Sequence, residues 1–276
     1  MSHRNKVILT SIFVLFDIVL LICIVSIRNA TMENKLKKEM NELVTLDFTK
    51  DRFNTKIKTN GSYSKVENAI KTYLDEYALL VQEVIEEMHD EKLTKVLSFD
   101  NYQADGPEFK ESLAYIGEAK KKFNTDVDKL IADSDSSNII KYGESKLKRK
   151  KYLELYKSLM LNKSMTNNFK ETKTTLEESK VRVNNVYDTS EKVLNFLVKN
   201  KANWKLEKGQ IKFKTEALYK EYTKMIKELN SKWSKGIIFI VYKTILLYTF
   251  IIGGIVWERI SSFKENNKVW KILLYY

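Results

Sequence analysis

VILTSIFVLFDIVLLICIVSI, residues 7–27, is 21 residues long and carries one formal charge, Asp17. As a helix rising 1.5 Å per residue, it is long enough to cross a hydrocarbon core of about 30 Å. A second stretch of the same kind, GIIFIVYKTILLYTFIIGGIVW at residues 236–257, also carries one charge, Lys243. Read together, they predict two transmembrane helices framing residues 28–235. The fold class expected is mostly α: an exported antiparallel bundle of long helices, with a small β-hairpin near residues 204–213.

This reading divides the chain into a cytoplasmic tail (1–6), a first span (7–27), an extracytoplasmic helical domain (28–235), a second span (236–257) and a basic, aromatic cytoplasmic tail (258–276). The first apolar run is longer than a signal-peptide core, and no small-x-small cleavage site follows it, so it reads as an uncleaved anchor. Two spans put both tails on one side of the bilayer. The Lys/Arg residues flanking each span are nearly balanced, and long loops translocate largely regardless of charge. A short basic tail ahead of an anchor favours export of the domain. The expected localisation is the cell membrane, with the large domain outside the cytoplasm.

The chain has 276 residues, one proline, eight glycines and one cysteine, Cys23. So few helix breakers over this length imply long helices. A single cysteine rules out an intrachain disulfide. Seven of the 48 Lys/Arg and three of the 36 Asp/Glu lie outside 28–235, so the domain holds about +8 of the +12 net charge. That excess favours an anionic surface such as lipid headgroups or wall polymers.

Within the domain the apolar period marks each helix. Leu36, Met40, Leu43 and Val44 extend the first span into a stalk. Val66, Ile70, Tyr73, Leu74, Tyr77, Val81, Val84, Ile85 and Met88 make one stripe over 65–97. Asp105–Gly106–Pro107 reads as the start of the next helix, with Glu108 completing a capping box. Its inward residues run from Phe109 to Ile131. After DSDSS at 133–137 comes one basic helix to about residue 161, and then another long helix over 166–199. WKLEKGQIKF at 204–213 switches to alternation around Lys208–Gly209, a hairpin signal. Thr215 is placed to cap a last helix that runs into the second span.

The only histidines are His3 and His89, and there is no GxxxxGK[ST], GxGxxG, HExxH or CxxC motif. Two histidines and one cysteine, at 3, 89 and 23, give little material for histidine-based nucleophilic catalysis or a His/Cys metal cluster. His89, in EEMHDE, reads as a polar-face residue. Residues 133–144 place Asp133, Asp135, Ser137 and Glu144 at positions 1, 3, 5 and 12 of an EF-hand-like loop, a weak calcium candidate. Asn138 at position 6, Lys141 at position 9 and the lack of a second loop favour a plain capped turn, so no metal and no cofactor is expected. Glu86, Glu87, Asp90 and Glu91 offer carboxylates, but in a pattern ordinary for a helix surface. Asp17 and Lys243 lie about 15 and 10 Å below the same interface, so they are expected to form an intramembrane ion pair.

The layout resembles that of two-span bacterial sensors and receptors with a helical input domain, a likeness of layout without a shared motif. Two functions follow as expectations. The first is a non-enzymatic, membrane-anchored scaffold or accessory subunit of a cell-envelope complex, whose helical domain binds protein. The alternative is a ligand-sensing domain that signals through the spans to a separate membrane partner. Expected partners are the lipid bilayer and another membrane or envelope protein, with an anionic surface as a further possibility and no nucleic acid. The segment at 267–276 reads as lying on the membrane or docking a partner.

Overall fold

A computed structural model describes residues 3–44, 54–88 and 90–232; the side chains of 3–19, 22, 44, 164 and 168 fall outside that description. Within it the chain is mostly helical, with one small antiparallel sheet. The second span (236–257), the tail at 258–276, His89, Lys243 and the side chain of Asp17 lie outside the described residues. Among the described residues no helix is long and apolar enough to cross a membrane.

Helix α1 (His3–Val44) is one unbroken helix of 42 residues. Its stripe at Leu36, Met40 and Leu43 is buried, while Leu20, Leu21, Ile24, Val25 and Ile27 are exposed. Helix α2 (Ser62–Met88) carries the strongest stripe, with Val66, Ile70, Tyr73, Leu74 and Val84 buried. It stops at Met88 rather than continuing to residue 97. Asp90 caps a new short helix, α3 (Glu91–Lys95), by accepting from the Lys92 amide at 2.7 Å. The stretch between the α2 stripe and Asp105, which carries no apolar period, then forms α4 (Phe99–Asp105), capped by Ser98.

Helix α5 (Lys110–Asp133) starts four residues later than the capping-box reading placed it. Pro107 lies in the connecting turn instead, and Phe109 takes a left-handed φ of 49° while fully buried. Asp105 still caps the helix, from farther away, accepting the Ser112 amide at 2.7 Å and the Glu111 amide at 3.2 Å. The single basic helix expected after DSDSS is two: α6 (Ser136–Lys146) and α7 (Lys150–Met160), joined by an extended turn. Buried Leu147 pins that turn, and Gly143 admits the Tyr156 ring where a Cβ would lie 2.5 Å from it.

Helix α8 (Lys163–Lys199) buries Phe169, Leu176, Val183, Val186, Val193, Leu194 and Leu197. Strands β1 (Trp204–Glu207) and β2 (Gln210–Phe213) pair as expected, Trp204 opposite Phe213, around Lys208 and Gly209. Both turn residues have positive φ, the geometry of a type I′ hairpin. Thr215 caps the last described helix, α9 (216–232).

Cross-helix bonds fix the directions. Tyr73 donates to the Asp133 carbonyl and Lys122 pairs with Glu87, so α2 and α5 run antiparallel. Asn124 and Asn184 exchange amide bonds at 2.9 and 2.8 Å, while Lys180 meets Asp128 and Lys201 meets Glu108, so α5 and α8 are antiparallel too. Helix α9 returns along α8, with Lys232 donating to Thr189 at 3.0 Å.

Buried apolar residues fall into two clusters. The larger joins the C-terminal half of α2 to α5, most of α8, the hairpin and α9. The smaller joins the end of α1 to the start of α2, α6, α7 and the start of α8.

Candidate functional site

The smaller core surrounds the only charged side chains that are buried among the described residues: Glu39 of α1 with Glu67 and Lys71 of α2. Glu67 and Lys71 are four residues apart, hence on one helix face, and their charged atoms meet at 2.6 Å. The Lys71 ammonium also donates to the Lys56 carbonyl at 2.7 Å and to Glu39 at 3.3 Å. Glu67 accepts the Lys58 amide at 2.9 Å, the Thr59 amide at 2.7 Å and the Thr59 hydroxyl at 2.7 Å. At its rim Lys58 meets Glu39 at 2.7 Å and Glu42 at 3.5 Å. Two helices and the strap at 54–60 are thereby tied at one point.

The electrostatics follow from those bonds. Burial alone pushes the Glu67 carboxyl up; donation from Lys71, from the Lys58 and Thr59 amides and from the Thr59 hydroxyl outweighs it, leaving the carboxyl below the usual range. The Glu39 carboxylate beside Lys58 raises that ammonium above its ordinary value. A tyrosine layer backs the knot. Tyr73 meets Tyr142 edge-on at 5.0 Å, Tyr63 meets Tyr152 at 5.2 Å, and Tyr77 hydrogen-bonds Ser134 at 2.9 Å. Burial pushes the Tyr77 phenol up to about 12. An open hollow adjoins the knot, lined by Thr59, Asn60, Ser64, Lys65, Asn68 and Lys146 among others.

The calcium candidates are not gathered around one point. Asp133 closes α5 and Asp135 is the N-cap of α6, accepting the Ser137 amide at 2.9 Å. Glu144 lies two turns further along α6, 3.8 Å from Lys157. Among the described residues no group of three or more His, Cys, Asp or Glu side chains could hold a metal ion. Of the surface carboxylates, Glu87 meets Lys122, Asp90 accepts from Tyr115 and caps α3, and Glu91 pairs with Lys95 at 3.3 Å.

The knot is what the sequence reading missed, although a signal was present. Glu67 and Lys71 fall on the same stripe as Tyr63, Ile70 and Leu74, so an i,i+4 ion pair there had to be buried. No matching family, characterised protein or solved structure was found for this chain.

Proposed function

We propose that this protein is a membrane-anchored, non-enzymatic scaffold or accessory subunit of a cell-envelope complex. Residues 7–27 and 236–257 would be its two spans, and the helical domain would lie outside the cytoplasm for protein interaction. One observation carries the reading: α1 passes without a break from the apolar stretch, whose described residues Leu20, Leu21, Ile24, Val25 and Ile27 are exposed, into a seat inside the bundle. Exposed apolar residues on a helix whose later turns are seated in the bundle suit lipid rather than water.

The test uses a Cys23→Ser background with cysteines at the exposed positions Ser136 and Ala217. An impermeant maleimide should label both on intact cells, and alkaline carbonate should leave the chain in the membrane fraction. Labelling only after lysis, or extraction by carbonate, would overturn the placement. Affinity isolation from detergent should return a stoichiometric envelope partner; none would sink the scaffold role.

The sensing alternative is favoured by the knot, which couples α1 tightly to the bundle. Glu67→Gln with Lys71→Met loosens that coupling. A sensor's partner should change its output in this variant, whereas a scaffold need only still co-purify with its partner.

A further inference from the structure

The turn between α6 and α7 presents Lys146, Lys148, Arg149, Lys150 and Lys151, five cations in six residues, all exposed. Buried Leu147 fixes the turn, so its neighbours must project outward. Three of these cations stand at the start of α7, where Arg149 is the N-cap with no side-chain cap and no acid occupies the first turn. A helix N-terminus carries partial positive charge, so these residues sit where cations are least favoured. Some lysines elsewhere in the bundle pair with acids, as in Lys180–Asp128 at 2.5 Å and Lys201–Glu108 at 2.6 Å. Among the described residues none of the five forms an ion pair; Lys146 and Lys151 only approach the Tyr142 and Tyr152 rings, at 5.2 and 5.9 Å. The nearby acids Glu144 and Glu154 both face Lys157, at 3.8 and 3.4 Å.

The open hollow continues this patch. Lys146 and Lys65 line it beside Asn60, Ser64 and Asn68, and no carboxylate does. Ammonium, amide and hydroxyl donors around an open depression suit a tetrahedral oxyanion, and the guanidinium of Arg149, three residues along the chain from Lys146, offers a bidentate grip on phosphate.

We propose that this turn and hollow dock a linear, phosphate-bearing polyanion of the cell envelope. The hollow borders the 54–60 strap, which is tied to Glu39 and Glu42 of α1. Glu39 lies twelve residues beyond Ile27, about 18 Å along the helix. With α1 upright, that exceeds a screening length of about 8 Å, so a polymer standing off the bilayer is within reach where headgroups are not.

The proposal rests on the exported placement, and the two fail separately. Maleimide labelling reports the side of the membrane, and binding by the purified chain reports the patch. The experiment takes the full chain in nanodiscs of zwitterionic lipid and measures the anisotropy of fluorescein-labelled polyphosphate at low and moderate salt. Lys148→Gln, Arg149→Gln, Lys150→Gln and Lys151→Gln together should weaken binding at least about tenfold and flatten its salt dependence, as expected when several phosphate contacts are lost. A control with equal charge loss, Lys170→Gln, Lys214→Gln, Lys224→Gln and Lys227→Gln, should change it less than about threefold; far-ultraviolet circular dichroism checks that both fold. Equal loss in the two variants, or no loss in the first, would overturn the patch. Polyglutamate binding as tightly as polyphosphate would overturn the phosphate assignment. Displacement of the probe by nanodiscs of anionic lipid would make the partner a membrane surface and overturn the polymer.

Discussion

The two cores are held by different physics. The larger is built from aliphatic and aromatic side chains such as Ile116, Phe123, Leu130 and Leu194. The smaller mixes tyrosines and aliphatics with the Glu39–Glu67–Lys71 knot. Apolar packing is non-directional and depends on area, whereas a buried charge cluster tolerates only one arrangement and loses heavily when a single member goes. The end of the bundle where α1 is seated is therefore specified by charge geometry, and the far end by packing.

The largest test of that contrast is a pair of substitutions. Lys71→Met leaves Glu67 without its buried cation and should cost about 3–5 kcal/mol, as much as Phe123→Ala in the larger core. Adding Glu67→Gln should recover much of the first loss, because the orphan charge is gone; no second substitution of that kind should rescue Phe123→Ala. Urea denaturation of Lys71→Met, Glu67→Gln, their double variant and Phe123→Ala measures this, and simple additivity at the knot would break the comparison.

Gly143→Ala comes next. Its Cβ would meet the buried Tyr156 ring at 2.5 Å, so overpacking of about 1–3 kcal/mol should fall on the smaller core. Hydrogen exchange should report it in α6 and α7 before α5.

Acid sharpens the contrast differently. The folded Glu67 carboxyl lies below its ordinary value, so its contribution is complete above the usual carboxylate range of about 4.3 and is lost as pH falls through the lowered folded value. Exchange protection at 56–74 and at the end of α1 should fail at higher pH than protection in α5 and the C-terminal half of α8. Failure in the reverse order would remove the knot from its stabilising role.

The smallest mutational effect should be that of Asp105→Ala, a lost cap worth about 1 kcal/mol. The folded Asp105 carboxyl is also lowered: burial pushes it up, but the bonds from Ser112 and the Glu111 amide prevail. Its contribution should likewise fade only as pH drops below the usual carboxylate range. Thermal melts at pH 7 and pH 3 should differ more for the parent than for the variant.

The stripes of α2, α5 and α8 were readable because burial on one face imposes a helical period that few other patterns mimic. The hairpin was readable because Lys208–Gly209 supplies the positive φ its turn needs. The break between α6 and α7 was not, since Lys148 and Arg149 are fair helix formers and the turn is fixed by the burial of Leu147 in the tertiary core. Pro107 misled in another way: it marks a turn, and the helix opens only after Phe109 is buried against Tyr102 and Trp204. The knot was missed because Glu39 and Lys56 reach Lys71 across the tertiary fold, a partnership invisible in any one helix.

The unbroken length of α1 has a mechanical meaning. At 1.5 Å per residue its 42 residues span about 63 Å, and among its described side chains the buried ones lie between Leu36 and Leu43. Such a rod is a cantilever. A tilt of roughly 5° at the clamp would carry the opposite tip sideways by about 4 Å over the roughly 50 Å between them. Small adjustments among Glu39, Lys58 and Lys71 are thus geared up along the rod, and a pull on the rod is geared down on its way into the bundle.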